Sequence, residues 1–110
     1  MKKDIIMRLW CPTEIKKIIN EKSDSLHIPG SLFVRLALKN GKIKVGDVQK
    51  YEKIFSEKKC VEYINFRLSD NLLQELQVKA KNLKIIVQDY LRVVCWKWTP
   101  TSEFLKFFQD

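Results

Sequence analysis

The chain is poor in the residues that build catalytic loops. Among 110 residues it has three glycines, three prolines, one histidine and three cysteines. Three glycines leave no room for a glycine-rich phosphate-binding loop, and no such motif occurs. Cys11, Cys60, Cys95 and His27 form no C-x-x-C pair and no close His/Cys spacing, so neither a zinc site nor a Cys/His catalytic pair is expected. Small buried hydrophobes account for Cys11 and Cys95. No enzyme activity and no cofactor are expected. No apolar run approaches the roughly 18–20 residues of a membrane span. The start, Met1-Lys2-Lys3-Asp4, leads into a strand-like segment with no small-residue cleavage site. These features predict an intracellular, cytoplasmic protein with reduced cysteines and no membrane partner.

Acid is also scarce relative to base. Lysine and arginine number 21 against 13 aspartates and glutamates, a formal charge of +8. Such a charge on a small domain favours polyanions, because each cation placed near a phosphate releases a condensed counterion. Solvated lysine faces give the same composition, so charge alone does not decide.

What is present is a repeat. Shifting the chain by 57 residues aligns about 3–40 with 60–97. Identities are few: Lys22 with Lys79, Leu26 with Leu83, Ile28 with Ile85, Arg35 with Arg92. The apolar pattern agrees better. Met7, Leu9 and Cys11 fall on Ile64, Phe66 and Leu68; Ile15 and Ile19 on Leu72 and Leu76; Val34 on Leu91; Ala37 on Val94.

Each copy starts with period-two alternation, the signature of a strand with one buried face. In the second copy Ile64, Phe66 and Leu68 share one face, so Tyr63, Asn65 and Arg67 project from the other. In the first, a strand from Asp4 to Cys11 turns Met7, Leu9 and Cys11 inward and Ile6, Arg8 and Trp10 outward. Ser69-Asp70-Asn71 then caps a helix carrying Leu72, Leu76, Ala80 and Leu83, closed at Lys84. Pro12-Thr13-Glu14 opens its counterpart with Ile15, Ile18, Ile19 and Leu26. Second helices follow: one after the turn His27–Ser31, ending at Asn40-Gly41, the other through Tyr90, Leu91, Val94 and Cys95 to about Trp98. The β-branched content of that last segment also permits a strand. The lysine-rich stretch Lys42–Lys59 leaves room for a short connecting helix within 46–56, and fully extended it would reach about 60 Å, ample to bring the strands together. Thr99-Pro100 breaks the pattern, and beyond it Ser102 is expected to cap a short helix with Phe104, Leu105, Phe107 and Phe108. The expected division is 1–41, 42–59, 60–98 and 99–110.

A strand and two helices in about 38 residues, occurring twice, resembles the Arc/MetJ class of ribbon-helix-helix DNA-binding proteins, over about 75 of the 110 residues. A lone strand leaves backbone groups unpaired and two short helices cannot cover their own apolar faces, so two units must associate. The resemblance implies an α+β, mostly helical fold: an intramolecular pseudodimer with a two-stranded antiparallel ribbon over a four-helix core, plus the short C-terminal helix.

It further implies sequence-specific binding of double-stranded DNA, with transcriptional repression as the expected role. Tyr63, Asn65 and Arg67 would read bases in the major groove, where arginine forks onto guanine and asparagine pairs with adenine. In the first unit only Arg8 is a clear donor. Ile6 and Trp10 either contact thymine methyls or pack against protein, such as the aromatic tail. Backbone N–H groups at the second-helix starts would anchor phosphates: Gly30 and Ser31, and Val87 and Gln88. Lys2, Lys3, Lys58 and Lys59 would flank the duplex, and Arg92 would be structural or touch the DNA backbone. Related roles are an auxiliary protein at a plasmid transfer or replication origin, and an antitoxin. Trp96, Trp98, Phe104, Phe107 and Phe108 either complete the core or offer a surface for self-association or a protein partner.

Overall fold

The computed structural model describes residues 4–100. The order of elements is β1 (Ile5–Cys11), α1 (Thr13–Ser25), α2 (Gly30–Asn40), α3 (Val45–Phe55), β2 (Glu62–Leu68), α4 (Asp70–Asn82) and α5 (Val87–Lys97). The described residues form an α+β, mostly helical fold with one two-stranded antiparallel sheet and five helices. Among the described residues no helix is long and apolar enough to cross a membrane. The segment around Tyr90–Cys95, open to a strand reading, is helical: its apolar residues recur at helical spacing and Tyr90, Leu91, Val94 and Cys95 are all buried together. The expected C-terminal helix and Lys2 and Lys3 lie outside the described residues.

The 57-residue shift holds element by element. Ile5–Cys11 maps onto Glu62–Leu68, Thr13–Ser25 onto Asp70–Asn82, and Gly30–Asn40 onto Val87–Lys97. The strands carry the same alternation of burial. The turns also match in backbone conformation. His27 (φ 57°) and Lys84 (φ 59°) both adopt the left-handed region after the first helix of their unit. In each, two N–H groups close back on the helix: Ile28 to Ser23 O and His27 to Asp24 O, then Ile85 to Ala80 O and Lys84 to Lys81 O. That double closure satisfies carbonyls a helix end would otherwise leave open.

The strands pair in antiparallel register, Ile6 opposite Arg67, Arg8 opposite Asn65 and Trp10 opposite Tyr63. Arg8 and Asn65 are thus both cross-strand neighbours and repeat equivalents, which puts an approximate two-fold axis through the middle of the sheet. A two-stranded sheet is marginal alone. Here its inner face packs on one core shared by all the helices, including Leu9, Phe66, Leu68, Ile15, Ile19, Phe33, Val34, Leu76, Leu91 and Val94.

Two junctions explain local sequence choices. Ser69 Oγ accepts from the Leu72 N–H at 3.2 Å, so of the three capping candidates serine is the one used. Gly41 ends α2, as expected, but with φ −80° it is not in the left-handed region usual for a glycine stop. Its reason is space: a Cβ there would lie 2.6 Å from both Ala37 O and Val94 Cγ2. Close approach of the α2 end to α5 requires the missing side chain. Nearby, Lys22 Nζ donates to Trp96 O at 3.0 Å and Trp98 O at 2.7 Å, holding carbonyls in the last turn of α5 and just beyond it.

Candidate nucleic-acid interface

The outer face of the sheet presents the six side chains that alternation assigned to it. Ile6 (66%), Trp10 (38%) and Tyr63 (44%) are exposed, as are Arg8, Asn65 and Arg67. The same three positions face outward in both strands because the inward ones are fixed by the core, and a one-residue slip would reverse every side chain.

The face has two unlike ends. At one, the Trp10 and Tyr63 rings lie 5.2 Å apart, tilted by 54°. The Arg8 guanidinium sits 4.2 Å from the Tyr63 centroid and 5.5 Å from that of Trp10. Stacking of this kind holds a long cation in place over aromatic surface. Trp10 therefore packs on its cross-strand neighbour while still facing out. In the centre, Arg8 Nε donates to Asn65 Oδ1 at 3.0 Å. A carbonyl oxygen has two lone pairs, so Asn65 keeps one acceptor site and its Nδ2 donors for a partner, and Arg8 keeps its two Nη groups.

At the other end Arg67 faces Ile6. Beside them opens a hollow of about 370 Å³ lined by Ile6, Ser31, Arg35, Asn65, Phe66 and Arg67. It brings the start of α2 against the edge of β2. Arg35 is the residue that sequence reasoning left without a site role, although its identity with Arg92 across the repeat was a signal. α2 begins with no side-chain cap and no acid in its first turn, so the N–H groups of Gly30 and Ser31 have the open, positive environment of a helix start.

The opposite flank is built differently. α5 also starts without a side-chain cap, but Asp89 lies in its first turn. The Gln88 side chain turns to β1, with Nε2 donating to Arg8 O at 2.7 Å and Oε1 accepting from Trp10 N–H at 3.0 Å. One amide thus pairs the outer edge of β1 as a neighbouring strand would. Arg92 completes this edge, donating from Nε to Trp10 O at 2.6 Å and from Nη1 to Asp89 Oδ1 at 2.8 Å. The counterpart of Gln88 is Ser31, too short for that reach.

The remaining candidates are distributed. Lys58 and Lys59 are exposed before β2, and Lys58 Nζ lies 3.2 Å from Glu14. Trp96 packs edge-on to Tyr51 and Phe55, and Trp98 lies 5.4 Å from Phe33; both are half-buried against the core. Phe104, Phe107 and Phe108 lie outside the described residues. Cys11 and Cys95 are buried, and Cys60 is half-buried. Among the described residues no three His, Cys, Asp or Glu side chains gather as a metal site.

No family model, curated protein or solved structure matches the chain. Its function must be argued from this geometry.

Proposed function

We propose that the protein is a tandem ribbon-helix-helix protein, an intramolecular pseudodimer that lays its two-stranded ribbon in the major groove of double-stranded DNA and represses transcription by occupying a promoter. One observation carries the reading. Six outward side chains of a paired, register-locked ribbon include two arginines and an asparagine, the groups that recognise guanine and adenine edges, on a chain of charge +8. A major groove about 12 Å wide accepts a two-stranded ribbon.

Arg67 reads guanine at one end. Asn65, oriented by Arg8, reads adenine at the centre with the acceptor and donors left to it. Ile6, Trp10 and Tyr63 supply the apolar contacts that suit thymine methyls. The start of α2 anchors a phosphate through Gly30 and Ser31, with Arg35 and Arg67 nearby. The start of α5, with Val87 and Gln88, is the weaker anchor because Asp89 places negative charge in its first turn. Lys2, Lys3, Lys58 and Lys59 add longer-range attraction.

Titration of a labelled duplex at several salt concentrations tests the reading. Affinity should fall steeply with salt, by a log–log slope of about −0.9 for each phosphate neutralised. A protein that binds no duplex at low salt is not a DNA-binding ribbon.

A further inference from the structure

The two units differ where the chain leaves the second helix, and the difference coincides with a hollow. After α5 comes Trp98, whose ring lies 5.4 Å from that of Phe33, tilted by 45°. The repeat counterpart of Trp98 is Gly41, which has no ring, and the counterpart of Phe33 is Tyr90. Beside this second pair opens a hollow of about 350 Å³, lined by Gly41–Ile43, Lys79, Asn82, Leu83 and Tyr90. Its lining maps through the repeat onto the surroundings of the indole: Lys79 onto Lys22, Leu83 onto Leu26 and Tyr90 onto Phe33.

What the ring does on its own side shows what is missing on the other. There Leu26 is only 2% exposed, and Lys22 Nζ donates to the carbonyls of Trp96 and Trp98. Across the axis Leu83 is half-buried only. Lys79 is half-buried as well, and it makes no hydrogen bond or ion pair among the described residues. Position 41 cannot supply a ring of its own, because a Cβ there would lie 2.6 Å from Ala37 O and Val94 Cγ2. Packing at the junction of α2 and α5 thus admits a side chain at one helix end and denies it at the other.

The hollow joins two kinds of surface. Ile43, Leu83 and Tyr90 are apolar or aromatic, whereas Lys42, Lys79 and Asn82 are polar, and no acid is among them. Small-molecule sites of about 300–1,000 Å³ have this make-up, apolar walls with a few polar groups that fix orientation. Ammonium groups beside an apolar wall suit a ligand with a flat apolar body and a carboxylate, which accepts charge-assisted hydrogen bonds. We propose that this hollow binds a small aromatic carboxylate. The ring rests against Ile43, Leu83 and Tyr90, in the place that Trp98 fills through the repeat, and the carboxylate accepts from Lys42 and Lys79. The inference depends on the repeat and on the hollow, not on what the ribbon binds.

Titration of indoleacetate into the full-length protein, with isoleucine and leucine methyls labelled, tests it. The Ile43 and Leu83 methyls should shift at probe concentrations up to roughly 10 mM, and should show Overhauser contacts to the ring protons of the probe. Lys42→Gln and Lys79→Gln, both changes of surface lysines, should each weaken binding by about fivefold to tenfold. Acetate, without the ring, and indole, without the charge, should bind more weakly than indoleacetate. Unmoved Ile43 and Leu83 methyls would overturn the proposal, and so would an affinity that both lysine variants leave unchanged. Overhauser contacts from those methyls to a phenylalanine ring among residues 104–108 in the free protein would mean that the chain fills the hollow itself, and would overturn it too.

Discussion

Arg8 and Asn65 hold the same place in the two units and meet across the sheet, Arg8 Nε donating to Asn65 Oδ1 at 3.0 Å. An approximate two-fold axis that would place identical residues opposite each other in a homodimer here places an arginine against an asparagine. A single chain fixes this difference permanently. On the reading proposed, the bond does two things: it orients the Asn65 amide and keeps the Arg8 fork over the Trp10–Tyr63 pair.

A double-mutant cycle measures that coupling. Arg8→Ala and Asn65→Ala should each weaken binding to a preferred duplex, by about 1–3 kcal/mol. Together they should cost less than the sum, because loss of Arg8 already releases the Asn65 amide. Strict additivity in the measured dissociation constants would show that the two side chains act separately.

Gly41 should tolerate no side chain. An added methyl meets Ala37 O and Val94 Cγ2 at 2.6 Å and Trp98 Cβ at 3.3 Å, and the last two belong to α5 and the residue that follows it. Gly41→Ala should destabilise by about 1–3 kcal/mol, read from urea midpoints. Gly46, with nothing within 4 Å of an added Cβ, provides the control: Gly46→Ala inside α3 should be neutral or stabilising.

Lys84 sits at φ 59°, a conformation that costs a side-chain-bearing residue roughly 1–2 kcal/mol. Lys84→Gly relieves this and gives back part through a more flexible unfolded chain, for a net gain of about 0.5–1 kcal/mol. Lys84→Val should lose stability. Thermal melts of the two variants, shifting in opposite directions, check the turn.

Alkali should weaken the fold. Burial pushes the Cys11 thiol from 9.0 up to about 11 and the Cys95 thiol to about 12, and it raises Tyr51 and Tyr90 as well. Above pH 9 the unfolded thiols release protons that the native ones retain. The native state then binds more protons, so stability present below pH 9 is lost as pH rises toward the native values. Lys22, lowered by burial, works in the opposite direction and offsets part of the loss. Urea midpoints should fall between about pH 8 and about pH 10, and Cys95→Ala should make the fall shallower.

Much of this molecule was legible in the chain. Alternation at Ile64, Phe66 and Leu68 assigned the outer face before any pairing was known, because burial of one face dictates the other. The 57-residue shift gave the matching helices, since equivalent core positions must repeat. The roles of Gln88 and Arg92 at the edge of β1 were not legible. They depend on where α5 lies against the strand, a distance of 80 residues along the chain for Gln88 and Arg8. The glycine at 41 marked the end of a helix, and only the approach of α5 reveals its steric reason. The position of α3 on α5 was equally hidden: a linker long enough to reach about 60 Å sets no destination.

The most direct measurement of the central claim is selection of bound sites from random duplex DNA, run in parallel with wild type, Asn65→Ala and Arg67→Ala. Wild type should return an asymmetric site. Arg67→Ala should relax one guanine and Asn65→Ala one adenine, each by about 1–3 kcal/mol, with the rest of the site retained. An unchanged site in both variants would contradict the assignment of the ribbon as the reading surface.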